Sequence, residues 1–293
     1  MAAGLAVQLV MYVASDATDG WVTLRRMIMR KGQDGYGRAM LDHFHGREAW
    51  EIVERDDGNF SIGAGPELYF APFRNWRPVE RQAMRYVRGR VLDVGCGAGR
   101  VMLHLQERGM EVVGIDNSPS AIETCRLRGA KNTHVLPIER LGPKLGTFDT
   151  VLMLGGNLGL LGTPERGRRL LRKLHRLTTD SGRIIGASRD RTRDDDPDVR
   201  AYVQRNRRLG RLSGQSRLRI RYRRFATPWF DFFRIAPDEL EDLVDGTGWH
   251  AGVGRQPVHR CDRQGRITDP RHSRTVRTFN GGRPGTARAP HRA

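Results

Sequence analysis

The sequence predicts an α/β protein built on a doubly wound, mostly parallel sheet. Between residues 90 and 190, short β-branched runs alternate with amphipathic segments of ten to fifteen residues, the rhythm of strand–helix–strand units. The first of these runs, RVLDVG, leads directly into three closely spaced glycines, Gly95, Gly97 and Gly99. An acidic residue, Asp116, closes the second run, 21 residues after Gly95. Helices joining parallel neighbours impose right-handed crossovers, so successive units cover both faces of one sheet.

The elements follow in order. Residues 1–30 have an apolar middle with no positive residue ahead of it, unlike a secretion signal. They read as a flexible extension, with Met27 and Met29 as alternative starts. Residues 31–89 form an N-terminal cap of helical and aromatic character. It opens with the helix YGRAMLDHFHG and continues with two extended pieces about Asp56, Asp57 and Gly58. The aromatic cluster Tyr69, Phe70, Phe73 and Trp76 comes next, then the helix PVERQAMRYVRG with Pro78 in its first turn.

Residues 90–255 carry the sheet. RVLDVG, EVVGID, THVLPI, TFDTVLMLG and SGRIIGAS are its five regular strands, and WHAGVGR is a sixth. Residues 190–236 are an insertion: a charged, partly helical stretch, then RLRIRYRRFATPWFDFFRI as two strands about a turn at Thr227 and Pro228. The helix APDELEDLVDGTG returns the chain to the sheet. A seventh strand has only one place, RITDPRHSRTVRTF, whose composition is poor for a strand.

Composition narrows the function classes. No apolar run approaches the roughly 18 residues of a membrane span. Cys96, Cys125 and Cys261 are odd in number and widely spaced, which argues against a disulfide scaffold or zinc site and suits a reducing cytoplasm. Residues 255–293 hold ten arginines and two aspartates, a net +8 of the chain's +18. The tail from 256 onward lacks apolar periodicity and is expected to be disordered. It is either a basic arm for nucleic acid or a degraded or frame-shifted gene end without a role.

The chemistry concentrates at VLDVGCGAGR. Glycines at a strand-to-helix junction let a ligand approach the backbone without a Cβ in the way. A carboxylate at the end of the next strand can accept both hydroxyls of a ribose. A dinucleotide fingerprint would put its third glycine at position 100, where this chain has Arg100. Asp93 would sit badly beside a pyrophosphate and well beside a cation. No Gly-Lys-Ser/Thr occurs. S-adenosyl-L-methionine, with an ammonium, a sulfonium and no phosphate, is the nucleoside that these charges select.

VLDVGCGAGR, EVVGIDNSPSAIETCR and FDTVLMLGGNLGLLG together resemble the successive motifs of class I S-adenosylmethionine-dependent methyltransferases. The resemblance covers about residues 60–255 and implies a Rossmann-like methyltransferase fold. It places Val94, Gly95, Cys96, Gly97 and Gly99 against the methionine part of the cofactor, with Asp93 holding its amino group. Asp116 would take the ribose, Asn117 and Ser118 would lie near the adenine, and Glu139 would stand at the adenine amino group. Leu154 and Gly155 would line the pocket where cofactor meets acceptor.

Other residues have blander readings. Cys96 has no base beside it and reads as a small loop residue. His43 and His45 lack the company of further metal ligands. The aromatics 69–76 are either a lid or a satellite core. The expected activity is in-line methyl transfer, with no nucleophilic side chain required and no general base identified. The motif Asn/Asp-Pro-Pro-Tyr of many amino-group methylases is absent, and LGGN takes its place, which favours a small-molecule acceptor. The alternatives are an RNA methyltransferase using the basic strand RLRIRYRRF, and a non-catalytic S-adenosylmethionine-binding protein. Oligomeric state is not written in the sequence.

Overall fold

A computed structural model describes residues 28–30, 32–190 and 194–254, together with the backbone of strands at 6–13, 260–261 and 267–268. The chain divides into a unit over Met1–Val258 and a second over His259–Ala293. In chain order the first unit contains strand β1 (Ala6–Val13), helix α1 (Gly35–Phe44), β2 (Ile52–Arg55), β3 (Phe60–Ile62), α2 (Pro66–Phe70) and α3 (Pro78–Ala83). The alternating region follows: β4 (Val91–Val94), α4 (Arg100–Glu107), β5 (Val112–Asp116), α5 (Pro119–Leu127), β6 (Thr133–Val135), β7 (Phe148–Met153), α6 (Pro164–Arg176) and β8 (Thr178–Arg189). Then come α7 (Pro197–Arg208), β9 (Gln215–Tyr222), β10 (Phe225–Ala226), β11 (Phe230–Phe233), α8 (Pro237–Val244) and β12 (Trp249–Gly254).

The expected doubly wound sheet is present. It has seven strands in the order β12-β1-β8-β7-β4-β5-β6. The pairs among β6, β5, β4, β7 and β8 are parallel. Period-2 alternation divides its side chains between two cores. Leu92, Val94, Val113, Ile115, Val151, Met153 and Ile184 pack with α6 and α8 on one face. Val91, Val112, Leu152 and Ile185 pack with Met102 and Leu105 of α4 and Ile122 of α5 on the other. Asp93 and Asp116 share the parity of this second set, so both carboxylates belong to the α4 and α5 side.

The far edge of the sheet corrects the sequence reading twice. The flexible extension expected over residues 1–30 contains β1, which pairs antiparallel with both β8 and β12. It thereby supplies the seventh strand, which composition assigned poorly to RITDPRHSRTVRTF. The reason is topological: β1 is uncharged and rich in valine, but its partners lie far along the chain. Of the tail at 256–293, only two short paired strands are described, β13 (Arg260–Cys261) and β14 (Ile267–Thr268); the rest lies outside the described residues.

A second sheet, in the order β10-β9-β2-β3 with β11 also on β9, joins the cap to the insertion. Val53 of β2 faces Ile220 of β9, and Leu218 of β9 faces Phe230 of β11. Segments that read as two separate additions therefore form one antiparallel layer. Its hairpin turns at Arg223, which has φ +49°, rather than at Thr227 and Pro228. Proline, without an N–H, interrupts the returning strand and separates β10 from β11.

Candidate functional site

The site forms where β4 and β5 end. Gly95, Gly97 and Gly99 all have positive φ, at +71°, +55° and +78°. The N–H groups of Gly95 and Cys96 both donate to the Ile115 carbonyl, at 2.8 and 3.1 Å, which fastens the loop to β5. A Cβ on Gly97 would meet the Met40 methyl at 3.3 Å, and one on Gly99 would meet Cys125 Sγ at 2.5 Å. Only glycine allows this backbone path and this packing together.

Asp116 is folded back onto the loop. Its Oδ2 accepts from the Gly97 N–H at 3.0 Å and its Oδ1 from the Ser118 N–H at 2.9 Å. Burial nevertheless pushes its pKa up to about 6. Each oxygen keeps a lone pair for a further donor. Asp93 is 3% exposed, its Oδ2 has no partner, and burial lifts its pKa to about 7 against the pull of Arg100.

Arg100 opens α4 and reaches Glu80 of α3 while lying 4.6 Å over the Trp76 ring. Glu80 Oε1 also accepts from the Gly155 N–H at 3.1 Å. One guanidinium nitrogen of Arg100, Nη1, remains buried without a partner. Nothing in the local pattern singles out Glu80, a lone carboxylate on a short helix.

Asn157 is a second residue that the sequence reading passed over. Its amide donates to the carbonyls of Val94 and Gly95 at 2.9 and 2.8 Å, tying the loop after β7 to the glycine loop. Leu154 is buried in the core on the α4 side, and Gly155 stands beside Arg100. The signal was the asparagine in LGGN.

The cap is locked to the same place by Asp34. Its Oδ1 accepts from Ser118 Oγ at 2.6 Å and from the Gly37 N–H at 3.2 Å, and its Oδ2 accepts from the Ser120 N–H at 2.8 Å. One carboxylate thus caps α1 and holds the start of α5. Ser118, expected at an adenine, is engaged through its hydroxyl in this junction. The Asn117 carbonyl takes the Met29 N–H at 3.0 Å.

The lid and core readings of the aromatics divide between them. Trp76 is buried, and Phe73 stacks on His104 of α4 at 4.1 Å, so this pair is core. Tyr36, Tyr69 and Phe70 pack around Met40, Ala98 and Ala121, over the glycine loop. Arg128 bridges the carbonyls of Ala98 and Tyr69. Glu139 requires a correction: its carboxylate is paired with Arg166 of α6 and its carbonyl takes Lys173, so it is committed to that helix. Cys96 and Cys125 are buried thiols, and Cys125 together with burial holds the Cys96 thiol well above the usual range. That is the opposite of an activated nucleophile.

Among the described residues no group of His, Cys, Asp and Glu is arranged to hold a metal ion, and no helix is long and apolar enough to cross a membrane. Two of the three arginines of β9 share one carboxylate, and two arginines ahead of β9 share another. Glu54 accepts Arg219 and Arg221 and is held near pKa 2 by them; Asp56 accepts Arg205 and Arg211.

A parallel sheet whose first central strand ends in a glycine loop, with one carboxylate beneath it and one on the next strand, defines a nucleoside-cofactor domain of the methyltransferase type. Residues 91–182 match the family described as a methyltransferase domain. The chain is 28% identical to an S-adenosylmethionine-dependent methyltransferase from Bacteroides fragilis solved with S-adenosyl-L-homocysteine. The TM-score is 0.67, over 80% of this chain and 94% of that one. It is 45% identical over 75 residues to a tRNA U34 carboxymethyltransferase from Psychromonas ingrahamii, 22% of each chain. It is 37% identical over 87 residues to a magnesium-protoporphyrin O-methyltransferase from Rhodobacter capsulatus, 28% of this chain and 38% of that one. The chain thus carries a methyltransferase domain of the class I S-adenosylmethionine-dependent type. It spans well under half the length of the two curated relatives.

Proposed function

We propose that the chain transfers a methyl group from S-adenosyl-L-methionine to a small-molecule acceptor. The observation that carries this reading is the pair of orphaned buried atoms at the glycine loop, Asp93 Oδ2 and Arg100 Nη1. A buried carboxylate oxygen and a buried guanidinium N–H left without partners are both costly. A ligand carrying both an ammonium and a carboxylate relieves both, and the methionine end of this cofactor is such a ligand. Asp93 would face its ammonium and Arg100 its carboxylate. Asp116 would accept the ribose hydroxyls on its remaining lone pairs. Gly97 would leave room at the backbone, and Leu154 and Gly155 would border the acceptor. Asn117 and Ser118 would set the shape of the adenine end through the junction with Asp34.

When bound, the cofactor supplies a methyl group on a sulfonium, an electrophile that needs no further activation. The chain's contribution is then to hold two reactants in line and exclude water. Asn157 fixes the loop, and the cap with its joined insertion encloses the site. A small acceptor is favoured over RNA because Arg219 and Arg221 of β9 share Glu54, and Arg205 of α7 and Arg211 share Asp56, rather than standing as a free cationic stripe.

The test is calorimetric titration with S-adenosylmethionine and, separately, with NAD, for the wild type and Asp116→Ala. S-adenosylmethionine should bind, NAD should not, and the variant should lose about two orders of magnitude in affinity, the order expected for two hydrogen bonds to a charged group. NAD binding without S-adenosylmethionine binding refutes the reading. Binding without S-adenosylhomocysteine from any metabolite pool would identify a non-catalytic protein instead.

A further inference from the structure

The cap holds a buried acid that the cofactor does not need. Glu51 is 1% exposed. Its Oε1 accepts from the Tyr69 hydroxyl at 3.0 Å, and its Oε2 has no partner. The Tyr69 hydroxyl in turn contacts the Tyr36 hydroxyl, with the rings 5.1 Å apart and tilted by 57°. Gly63 closes over the acid: a Cβ there would lie 2.2 Å from Glu51 Oε1. The other end of the chain of hydroxyls faces the cofactor residues. Tyr36 packs with Met40 and Ala98 above the glycine loop, and Asp116 and Arg100 lie within electrostatic reach of its hydroxyl.

The direction of the hydrogen bonds follows from elementary chemistry. An ionised carboxylate can only accept, so Tyr69 must donate to Glu51. Its oxygen is then free to take the proton of Tyr36, and among the described residues no donor is hydrogen-bonded to the Tyr36 oxygen. Structural support alone would not call for this arrangement, because a buried carboxylate with one empty oxygen weakens the fold.

We propose that Tyr36, Tyr69 and Glu51 form a relay that removes the proton released by a neutral methyl acceptor. The inference rests on the methyl-transfer reading and adds the base that the sequence did not disclose. The acceptor's lone pair forms the new bond to the methyl carbon. The electron pair of the broken sulfur–methyl bond stays on sulfur, giving a neutral thioether. The acceptor's proton passes to the Tyr36 oxygen, the Tyr36 proton to Tyr69, and the Tyr69 proton to Glu51, which ends as a neutral acid. Charge balances, since one cation and one carboxylate become two neutral groups. Tyr36 is the member that touches the acceptor; Tyr69 and Glu51 act through it.

Two simple nucleophiles test the relay without knowledge of the natural acceptor. At pH 7 ethanethiol carries a proton that it must lose on methylation, whereas azide carries none. The full-length protein is saturated with S-adenosylmethionine, and S-adenosylhomocysteine is measured by mass spectrometry with each nucleophile. The ratio of ethanethiol to azide turnover should fall about a hundredfold in Tyr69→Phe and in Glu51→Gln, the scale of a lost general base. Tyr69→Phe keeps the ring and the packing, so it decides the matter should Glu51→Gln fold poorly. A ratio unchanged in Tyr69→Phe overturns the relay while leaving methyl transfer intact. No S-adenosylhomocysteine from either nucleophile in the wild type would overturn the methyl-transfer reading, and the relay with it.

Discussion

Replacing Asp93 by asparagine should stabilise the empty protein and weaken its hold on the cofactor. Asp93 is buried, one of its oxygens lacks a partner, and burial outweighs the attraction of Arg100, so the group titrates near 7. Below about pH 4 the carboxyl is protonated in both the folded and the unfolded chain, and burial carries no charge penalty. As pH rises from about 4 to 7 the unfolded chain ionises while the folded one keeps its proton, so stability is lost over that window. Above pH 7 the loss is about 4 kcal/mol. Asparagine removes the penalty but leaves an amide short of partners, returning about 1–3 kcal/mol. The net gain at pH 8 is therefore about 2 kcal/mol, or about 3 °C in melting temperature for a chain of this size. Cofactor binding moves the other way. In the wild type the dissociation constant should rise about tenfold per pH unit below 7, as the carboxyl that faces the ammonium is neutralised. Asp93→Asn should bind weakly and lose that pH dependence. Thermal melts from pH 5 to 8 and calorimetry on both proteins check this. A variant that melts below the wild type at pH 8, with a wild-type curve flat across the range, refutes the buried unpaired anion.

Three further outcomes follow from the same geometry. Asn157→Ala removes both amide donors from the Val94 and Gly95 carbonyls; stability should fall by about 2 kcal/mol and S-adenosylmethionine affinity at least tenfold, measured by denaturant titration and calorimetry. Gly99→Ala combines a φ of +78° with a Cβ only 2.5 Å from Cys125 Sγ, so it should cost more than about 2 kcal/mol, visible as a lowered melting point. Adding Cys125→Ala should restore only the steric part. Glu54→Ala frees Arg219 and Arg221; stability should change by less than about 1 kcal/mol because the cluster is partly exposed. Nonspecific RNA retention on a filter should rise in low salt, and a fall would restore the RNA reading of this strand.

The parts of the fold that the sequence disclosed are those whose signal is local. The strands β4, β5, β7 and β8 announce themselves by short apolar runs, and the glycine loop by spacing alone. Asp93 and Asp116 could be found because they stand at fixed distances from that loop. The residues that escaped are defined by partners far away in sequence. Glu80 matters through Gly155, Glu51 through Tyr69, and Asp34 through Ser118 and Ser120. Glu139 shows the converse error: an acid after the third strand of the alternating region has a familiar place, but Arg166 claims it. The turn at Arg223 carries no glycine or asparagine to mark its positive φ.

The placement of β1 has a consequence for how the protein is made. This strand leaves the ribosome well before its neighbours in the sheet, β8 and β12, which are encoded some 170 to 240 residues later. At roughly 5–20 residues per second of synthesis, AVQLVMYV waits on the order of ten to fifty seconds with both edges unpaired. An uncharged strand in that condition is a template for wrong partners. Until β8 and β12 emerge, this segment is where a holding chaperone would act on the nascent chain. Moving the β1 segment to follow β12 by circular permutation would shorten that exposure without altering a single pairing in the finished sheet.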